Sequence, residues 1–246
     1  YLNATSSSTT TFGTSCVLFS SNVASLDLRN NILTNLSTPA QASLNVATNG
    51  VSACLRRSNG TTAVVPANYS TQSNNNAFFS SNSGGANTKL LYAEGTTTIT
   101  NPVTTISALR NFMLNRDLAS VQENPTFLST VGTSGSYLHI NNAISSQLES
   151  AGTNVSGVTR DFDSHIRYGN LGYPGGGFSF PTGGSAPDIG ADEFAGIISD
   201  QTGPLITYTP LTGTCSTGNF TVSATIIDAT GIPLSGTLRP RIYYRK

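Results

Sequence analysis

Apolar and polar residues alternate over Leu26-Asp27-Leu28-Arg29-Asn30-Asn31-Ile32-Leu33-Thr34-Asn35, with an asparagine pair at the centre, and Asn74-Asn75-Asn76-Ala77-Phe78-Phe79-Ser80 echoes the pattern. Period-two alternation puts one face of a short strand into a core. Leu26, Leu28 and Ile32 are therefore expected on one buried face, with the strand bending at the asparagines. Asparagines at matching points of successive layers can hydrogen-bond along the stack, as Asn ladders do in cross-β assemblies. That is the logic of a parallel β-helix, in which Asn31 would meet one of Asn74–Asn76 and Leu28, Ile32, Cys16 and Cys54 would point inward. Further strand-sized units bounded by turn residues are Tyr1-Leu2-Asn3, Ser15–Ser20, Gly50–Arg57 and Tyr69–Ser73. The asparagine sets lie too far apart for one bare coil, so loops of varying length are expected to protrude. Asn59-Gly60 predicts a turn and Pro66 an extended loop.

The period changes after residue 100. Ile106, Leu109, Phe112 and Met113 fall at helical spacing between Asn101-Pro102 and Asn124-Pro125, which predicts a short amphipathic helix. A second helical turn or two is expected over Ala143–Leu148. Both, with the loops around them, are assigned to closing the end of the stack, whose last layer would otherwise expose strand edges. Beyond Asp200, alternation in Leu205–Pro210, Asn219–Asp228 and Arg241–Tyr244 predicts about three strands, where an immunoglobulin-like sandwich takes about seven. The expected organisation is thus all-β: a parallel β-helix with short capping helices over 1–196, then an incomplete immunoglobulin-like β-sandwich over 197–246. The opening Tyr1-Leu2-Asn3, without Met or a leader pattern, and the closing strand-like Ile242–Lys246 predict a piece of a longer polypeptide.

Composition narrows the function classes. Only 10% of residues are charged, and twelve basic side chains balance twelve acidic ones with no basic stripe, so nucleic acid is not an expected partner. No apolar run approaches the roughly 20 residues of a membrane-spanning helix. Cys16, Cys54 and Cys215 are odd in number and lack Cys-x-x-Cys spacing, which speaks against a zinc site and a disulfide framework. A Cys16–Cys54 bridge and two buried thiols at equivalent places remain alternative readings. Asn-x-Ser/Thr sequons begin at Asn3, Asn35, Asn59, Asn68, Asn154 and Asn219, a number that the Asn, Ser and Thr content by itself accounts for.

The runs Tyr1–Ser7, Leu28-Arg29-Asn30-Asn31-Ile32, Arg56-Arg57-Ser58-Asn59-Gly60 and, most specifically, Ala186-Pro187-Asp188-Ile189-Gly190-Ala191-Asp192-Glu193-Phe194 resemble the last coils of right-handed parallel β-helix domains. Such domains occur in large secreted surface proteins of the Bacteroidetes type, many of them cargo of the type IX secretion system. The resemblance spans residues 1 to about 196. It implies an extracellular or cell-surface location, with carbohydrate or cell-surface ligands and secretion translocon components as partners. In one respect the chain departs from that pattern: where Gly usually follows the second Asp of Arg160-Asp161-Phe162-Asp163, this chain has Ser164-His165, which weakens the case for a tight turn there.

The acidic cluster Asp161, Asp163, Asp188, Asp192 and Glu193, with Arg160 and Arg167 near it, admits three readings. The carboxylates cap turns and pair with Arg to close the last coil, hold Ca²⁺, or supply an acid/base pair for a polysaccharide. The first is preferred. His139 and His165 are too few and too isolated in sequence for zinc, and Arg29, Arg56 and Arg57 read as solvated strand positions. Gly175–Gly177 and Gly183-Gly184 read as loop, and no phosphate loop, dinucleotide fingerprint or nucleophile elbow is present. The expectation is therefore no catalytic residue, no metal and no cofactor: a structural or adhesive segment of a secreted or cell-surface protein. The alternative is the C-terminal part of a β-helix carbohydrate-active enzyme, a lyase or glycoside hydrolase whose active site lies upstream.

Overall fold

The structure is a computed structural model that describes residues 1–4, 12–19, 25–38, 50–58, 66–81, 89–95, 99–175, 184–199, 205–210, 221–227, 235 and 239–241. Cys215, the Asn59-Gly60 turn, the sequons at Asn59 and Asn219, Gly176, Gly177, Gly183 and Ile242–Tyr244 lie outside the described residues. The chain divides into two units, Tyr1–Ile198 and Ser199–Lys246. The fold is all-β with a single helix among the described residues.

In the first unit, β1 (Ser15–Phe19), β3 (Ser52–Arg57) and β5 (Lys89–Glu94) pair in parallel, and β6 (Thr100–Val103) adds antiparallel to β5. A second sheet pairs β2 (Ile32–Asn35), β4 (Ala77–Ser80) and β7 (Val121–Gln122), all parallel. Parallel neighbours cannot be joined by a tight turn, and here each crossover passes through the other sheet. Isolated parallel bridges Leu2↔Asn35, Leu26↔Tyr69 and Arg29↔Asn74 extend the same sense of pairing outside the strands.

Alternate residues of the second sheet serve two cores. Leu33 and Phe78 belong to an inner core shared with the first sheet, with Cys54, Leu55, Tyr69, Leu91, Tyr92 and Val103. Their neighbours Ile32, Ala77 and Val121 form one row across three strands and face the other way, against Ile140, Leu148, Ile189 and Phe194. A sheet buried on both faces is what parallel strands require. The expectation that Leu26, Leu28 and Ile32 share a face is corrected here: Leu26 and Leu28 pack on the inner core and Ile32 on the outer one. The cause is Asn30, whose φ of 57° breaks the extended backbone and shifts the phase by one residue. Asn75 repeats the device at φ 55°.

Helix α1 (Ile106–Met113) starts at Thr105, whose hydroxyl accepts the Ala108 N–H at 3.2 Å. It ends where Leu114 takes φ 52°, well before Asn124-Pro125. Its apolar face is Leu109 and Met113, both fully buried in the inner core, and Phe112 stacks on Tyr92 with ring centroids 5.3 Å apart. The helix expected over Ala143–Leu148 is absent. There the Ser146 hydroxyl and the Gln147 N–H both donate to the Glu123 carboxylate at 2.6 Å, and β8 (Ser145–Ser146) pairs in parallel with β9 (Ile197–Ile198). Serines that offer the backbone local alternatives disfavour a helix interior. Phe127, Ile140, Leu148, Ala151, Ile189 and Phe194 cover the outer face of the second sheet, where the Ile32–Ala77–Val121 row supplies the apolar surface they need.

In the second unit, β10 (Leu205–Tyr208) and β11 (Ala224–Ile227) form an antiparallel pair in register from Leu205↔Ile227 to Tyr208↔Ala224. Of the expected third strand only Arg241 is described.

Candidate functional site

Two groups of polar side chains among the described residues of the first unit bear on the site. The first runs between the layers of the second sheet. The Asn76 amide oxygen accepts from the Asn31 backbone at 3.0 Å and from the Asn31 side chain at 3.2 Å, 45 residues away in sequence. The Asn76 Nδ2 donates to the Leu28 carbonyl at 2.9 Å and to Asp117 Oδ1 at 3.0 Å. One layer on, the Asn76 N–H reaches the Ser120 hydroxyl, 44 residues away. Asp117, fully buried, also accepts from the Ser120 hydroxyl at 2.6 Å and Tyr69 OH at 2.7 Å, and burial pushes its carboxyl above the ordinary range. The ladder expected at Asn31 and Asn76 is present, and a carboxylate, Asp117, terminates it. Asn30 and Asn75, in the left-handed conformation one residue earlier, donate to the carbonyls of Thr153 at 2.7 Å and Ala151 at 2.8 Å. The bends thereby dock the closing segment.

The second group belongs to that segment. Asp161 opens a tight turn by accepting the N–H of His165 at 2.7 Å and its ring Nδ1 at 3.1 Å, with Ser164 at φ 70°. The turn that Ser164-His165 made doubtful is therefore formed, with serine in a conformation usually left to glycine. The other Asp161 contact is the Glu193 N–H at 3.0 Å. Asp188 accepts the N–H groups of Ser150 at 2.6 Å and Phe194 at 2.7 Å. Glu193 accepts from Tyr168 N at 2.9 Å and faces Arg167 Nε at 3.4 Å, while Arg167 also donates to the carbonyls of Gly190 and Asp188. Burial dominates the charges here: it pushes the Asp188 carboxyl up to about 8 and raises Glu193 as well. At Gly190 (φ 121°) the chain presses so close that a Cβ would lie 2.7 Å from Ile32 Cδ1.

Asp163 and Asp192 are arranged differently. His139 lies between them, with Nε2 at 3.5 Å from Asp163 Oδ2 and Nδ1 at 3.9 Å from Asp192 Oδ2. All three side chains are partly exposed, at 25%, 32% and 17%. One donor atom from each lies within 4.8 Å of the other two. They line a cavity of about 440 Å³ whose wall also includes Tyr137, Phe162 and the Ile32–Ile189 contact, and a second of about 220 Å³ that adds His165 and Glu193. Phe162 is 80% exposed.

Of the five carboxylates of the cluster, Asp161, Asp188, Glu193 and, at 3.4 Å, Asp192 accept backbone N–H groups, and Asp163 and Asp192 line the cavity with His139. The partners of the strand arginines are near: Arg29 pairs with Asp27 at 2.6 Å, Arg56 donates to the Gly95 carbonyl at 2.9 Å, and Arg57 contacts Glu94 at 3.2 Å. Cys16 and Cys54 are free thiols on adjacent strands, the latter fully buried. Asn35 of the second sequon is fully buried and donates to the Thr14 and Ala53 carbonyls, so it is closed to modification in the folded chain. Sequence reasoning missed the His139 grouping because its three members come from separated stretches; the pattern Asp-Phe-Asp, with an apolar residue exposed between two acids, was the available signal. Compared with protein-family models, curated proteins and solved structures, the chain matches none. Among the described residues no helix is long and apolar enough to cross a membrane.

Proposed function

We propose that the first unit is the closing part of a right-handed parallel β-helix, that the second begins an immunoglobulin-like sandwich, and that the chain is a non-catalytic structural or adhesive segment of a large secreted or cell-surface protein. The observation that carries this reading is the repeat of one set of contacts between layers: Asn31 to Asn76 over 45 residues and Asn76 to Ser120 over 44, inside parallel sheets. A stack of layers joined in this way grows in one dimension and makes a rigid rod. The closing motif supports a mechanical role, because Asp161, Asp188 and Glu193 hold backbone N–H groups and are thereby withheld from a substrate. Type IX secretion, surface tethering and carbohydrate ligands belong to the same proposal and rest on the sequence resemblance. The test is incubation of the purified chain with acidic and neutral polysaccharides, and with cell surfaces bearing them. Retention without product is the expected result. Turnover that Asp163→Ala abolishes would replace the adhesive reading with an enzymatic one, and retention on no surface would remove the adhesive role.

A further inference from the structure

His139, Asp163 and Asp192 are brought to one point by three different constraints. His139 precedes Ile140, whose side chain is anchored in the outer core and whose N–H donates to Asp192 Oδ2 at 3.4 Å. Asp163 sits in the turn that Asp161 closes. Asp192 lies in the closing motif between Gly190, pressed on Ile32, and Glu193, held by Tyr168 and Arg167. No Lys or Arg among the described residues forms an ion pair with Asp163 or Asp192; the titratable side chains near Asp192 include those of His139, Asp161 and Asp163.

We propose that these three side chains bind a single divalent transition-metal cation of the zinc class, with the large cavity beside them leaving a coordination position open to an exogenous oxygen ligand. Three observations support this. The donor atoms already lie within 4.8 Å of one another. Ligand bonds of about 2.0–2.2 Å to zinc place neighbouring donors about 3.3 Å apart, so closure around an ion takes a contraction of about 1.5 Å or less, shared among three partly exposed side chains. The donor set of one imidazole and two carboxylates selects zinc-class ions over calcium and magnesium, which take oxygen alone and need more ligands. Three protein ligands beside an open volume is the arrangement in which a metal keeps a position for water or a ligand oxygen, and the cavity of about 440 Å³ supplies that volume with Tyr137 and Phe162 on its wall. Metal binding here goes beyond the rod-like role and stands or falls separately from it.

The experiment uses the whole chain, without a histidine tag and freed of metal by a chelator. Zn²⁺ is titrated by calorimetry and in competition with a chromophoric chelator, and Co²⁺ is titrated by absorbance. One Zn²⁺ per chain is expected, together with a Co²⁺ spectrum lacking a thiolate charge-transfer band, which separates this site from Cys16 and Cys54. His139→Ala and Asp163→Asn should each weaken binding at least tenfold. Circular dichroism of each variant establishes that it folds, and Asp163→Asn, at a partly exposed turn position, serves if His139→Ala does not. The proposal is overturned by absence of Zn²⁺ binding, by Ca²⁺ binding in preference to Zn²⁺, by a thiolate band, or by unchanged affinity in a folded variant.

Discussion

The strands of residues 15–80 and the closing segment from Phe127 to Phe194 meet on the same row, Ile32–Ala77–Val121, yet they are held in different ways. In the strands, backbone groups satisfy one another across parallel ladders, and side chains such as Leu55, Phe78 and Tyr92 are free to fill the inner core. Among its described residues the closing segment has little regular structure, and its N–H groups are held by scattered backbone carbonyls, as in Leu128 to His139, Gly152 to Pro187 and Arg167 to Thr159, and in part by carboxylates: Asp161 for His165 and Glu193, Asp188 for Ser150 and Phe194, Glu193 for Tyr168. Irregular backbone can be buried only when each polar group finds a partner, and in the closing segment carboxylates supply those partners beside the backbone carbonyls. Half of the chain's twelve acidic residues lie in that segment. Asp163 and Asp192 stand out against this background as the acids of the motif that share a cavity with His139.

The sharpest way to break the contrast is at Asn76, where the sheet depends on a buried polar side chain. Asn76→Ala removes partners from the Asn31 N–H, the Leu28 carbonyl and the Asp117 carboxylate, all inside the molecule. A loss of about 2–4 kcal/mol is expected, since the Asn31 N–H loses its acceptor and an unpaired buried group costs about 1–3 kcal/mol, while the Leu28 carbonyl and Asp117 each lose one of several partners. Chemical denaturation measures it, and a loss below about 1 kcal/mol would mean that apolar contacts alone hold the layers in register.

Asp188 tests the other side of the comparison. Its folded carboxyl is raised to about 8 by burial, against about 3.9 in an unfolded chain. The stability tied to its neutral form is complete below about pH 4 and is lost as pH rises through about 8. Asp188→Asn keeps one acceptor but turns an NH₂ group toward a backbone N–H, so it should cost about 1–3 kcal/mol at pH 5. The gap to the parent chain should then narrow toward pH 9. Urea midpoints across that range decide the matter; a gap that widens with pH would show that the two N–H donors, rather than burial, govern the carboxyl.

The smallest effect is expected at Ser164. A non-glycine residue at φ 70° carries about 1–2 kcal/mol of strain, and glycine adds unfolded-state entropy of about 0.4–1 kcal/mol. Ser164→Gly should stabilise the chain by about 0.5–1 kcal/mol, read as a raised thermal midpoint. A destabilised variant would mean that the serine has a contact that outweighs the strain.

Strand units, the bend at the asparagines, the Asn31–Asn76 contact and the amphipathic helix around Leu109 and Met113 were all legible in the amino-acid sequence, because each depends on the local period of the backbone or on a repeated residue type. The helix expected at Ala143–Leu148 failed where Glu123, more than twenty residues away, captured the Ser146 hydroxyl and the Gln147 N–H. Ile32 went to the other face because one left-handed residue, Asn30, changed the phase that alternation alone predicts. The turn at Ser164 formed because Asp161 fixed it from both backbone and ring of His165. What the sequence determined, then, was the local form of the strands and the chemistry available in an acidic motif. Which face Ile32 buries, where the closing segment lies, and that His139 meets Asp163 and Asp192 were decided only by tertiary structure, since those contacts join stretches whose separation carries no periodic signal and whose approach is set by the packing between them.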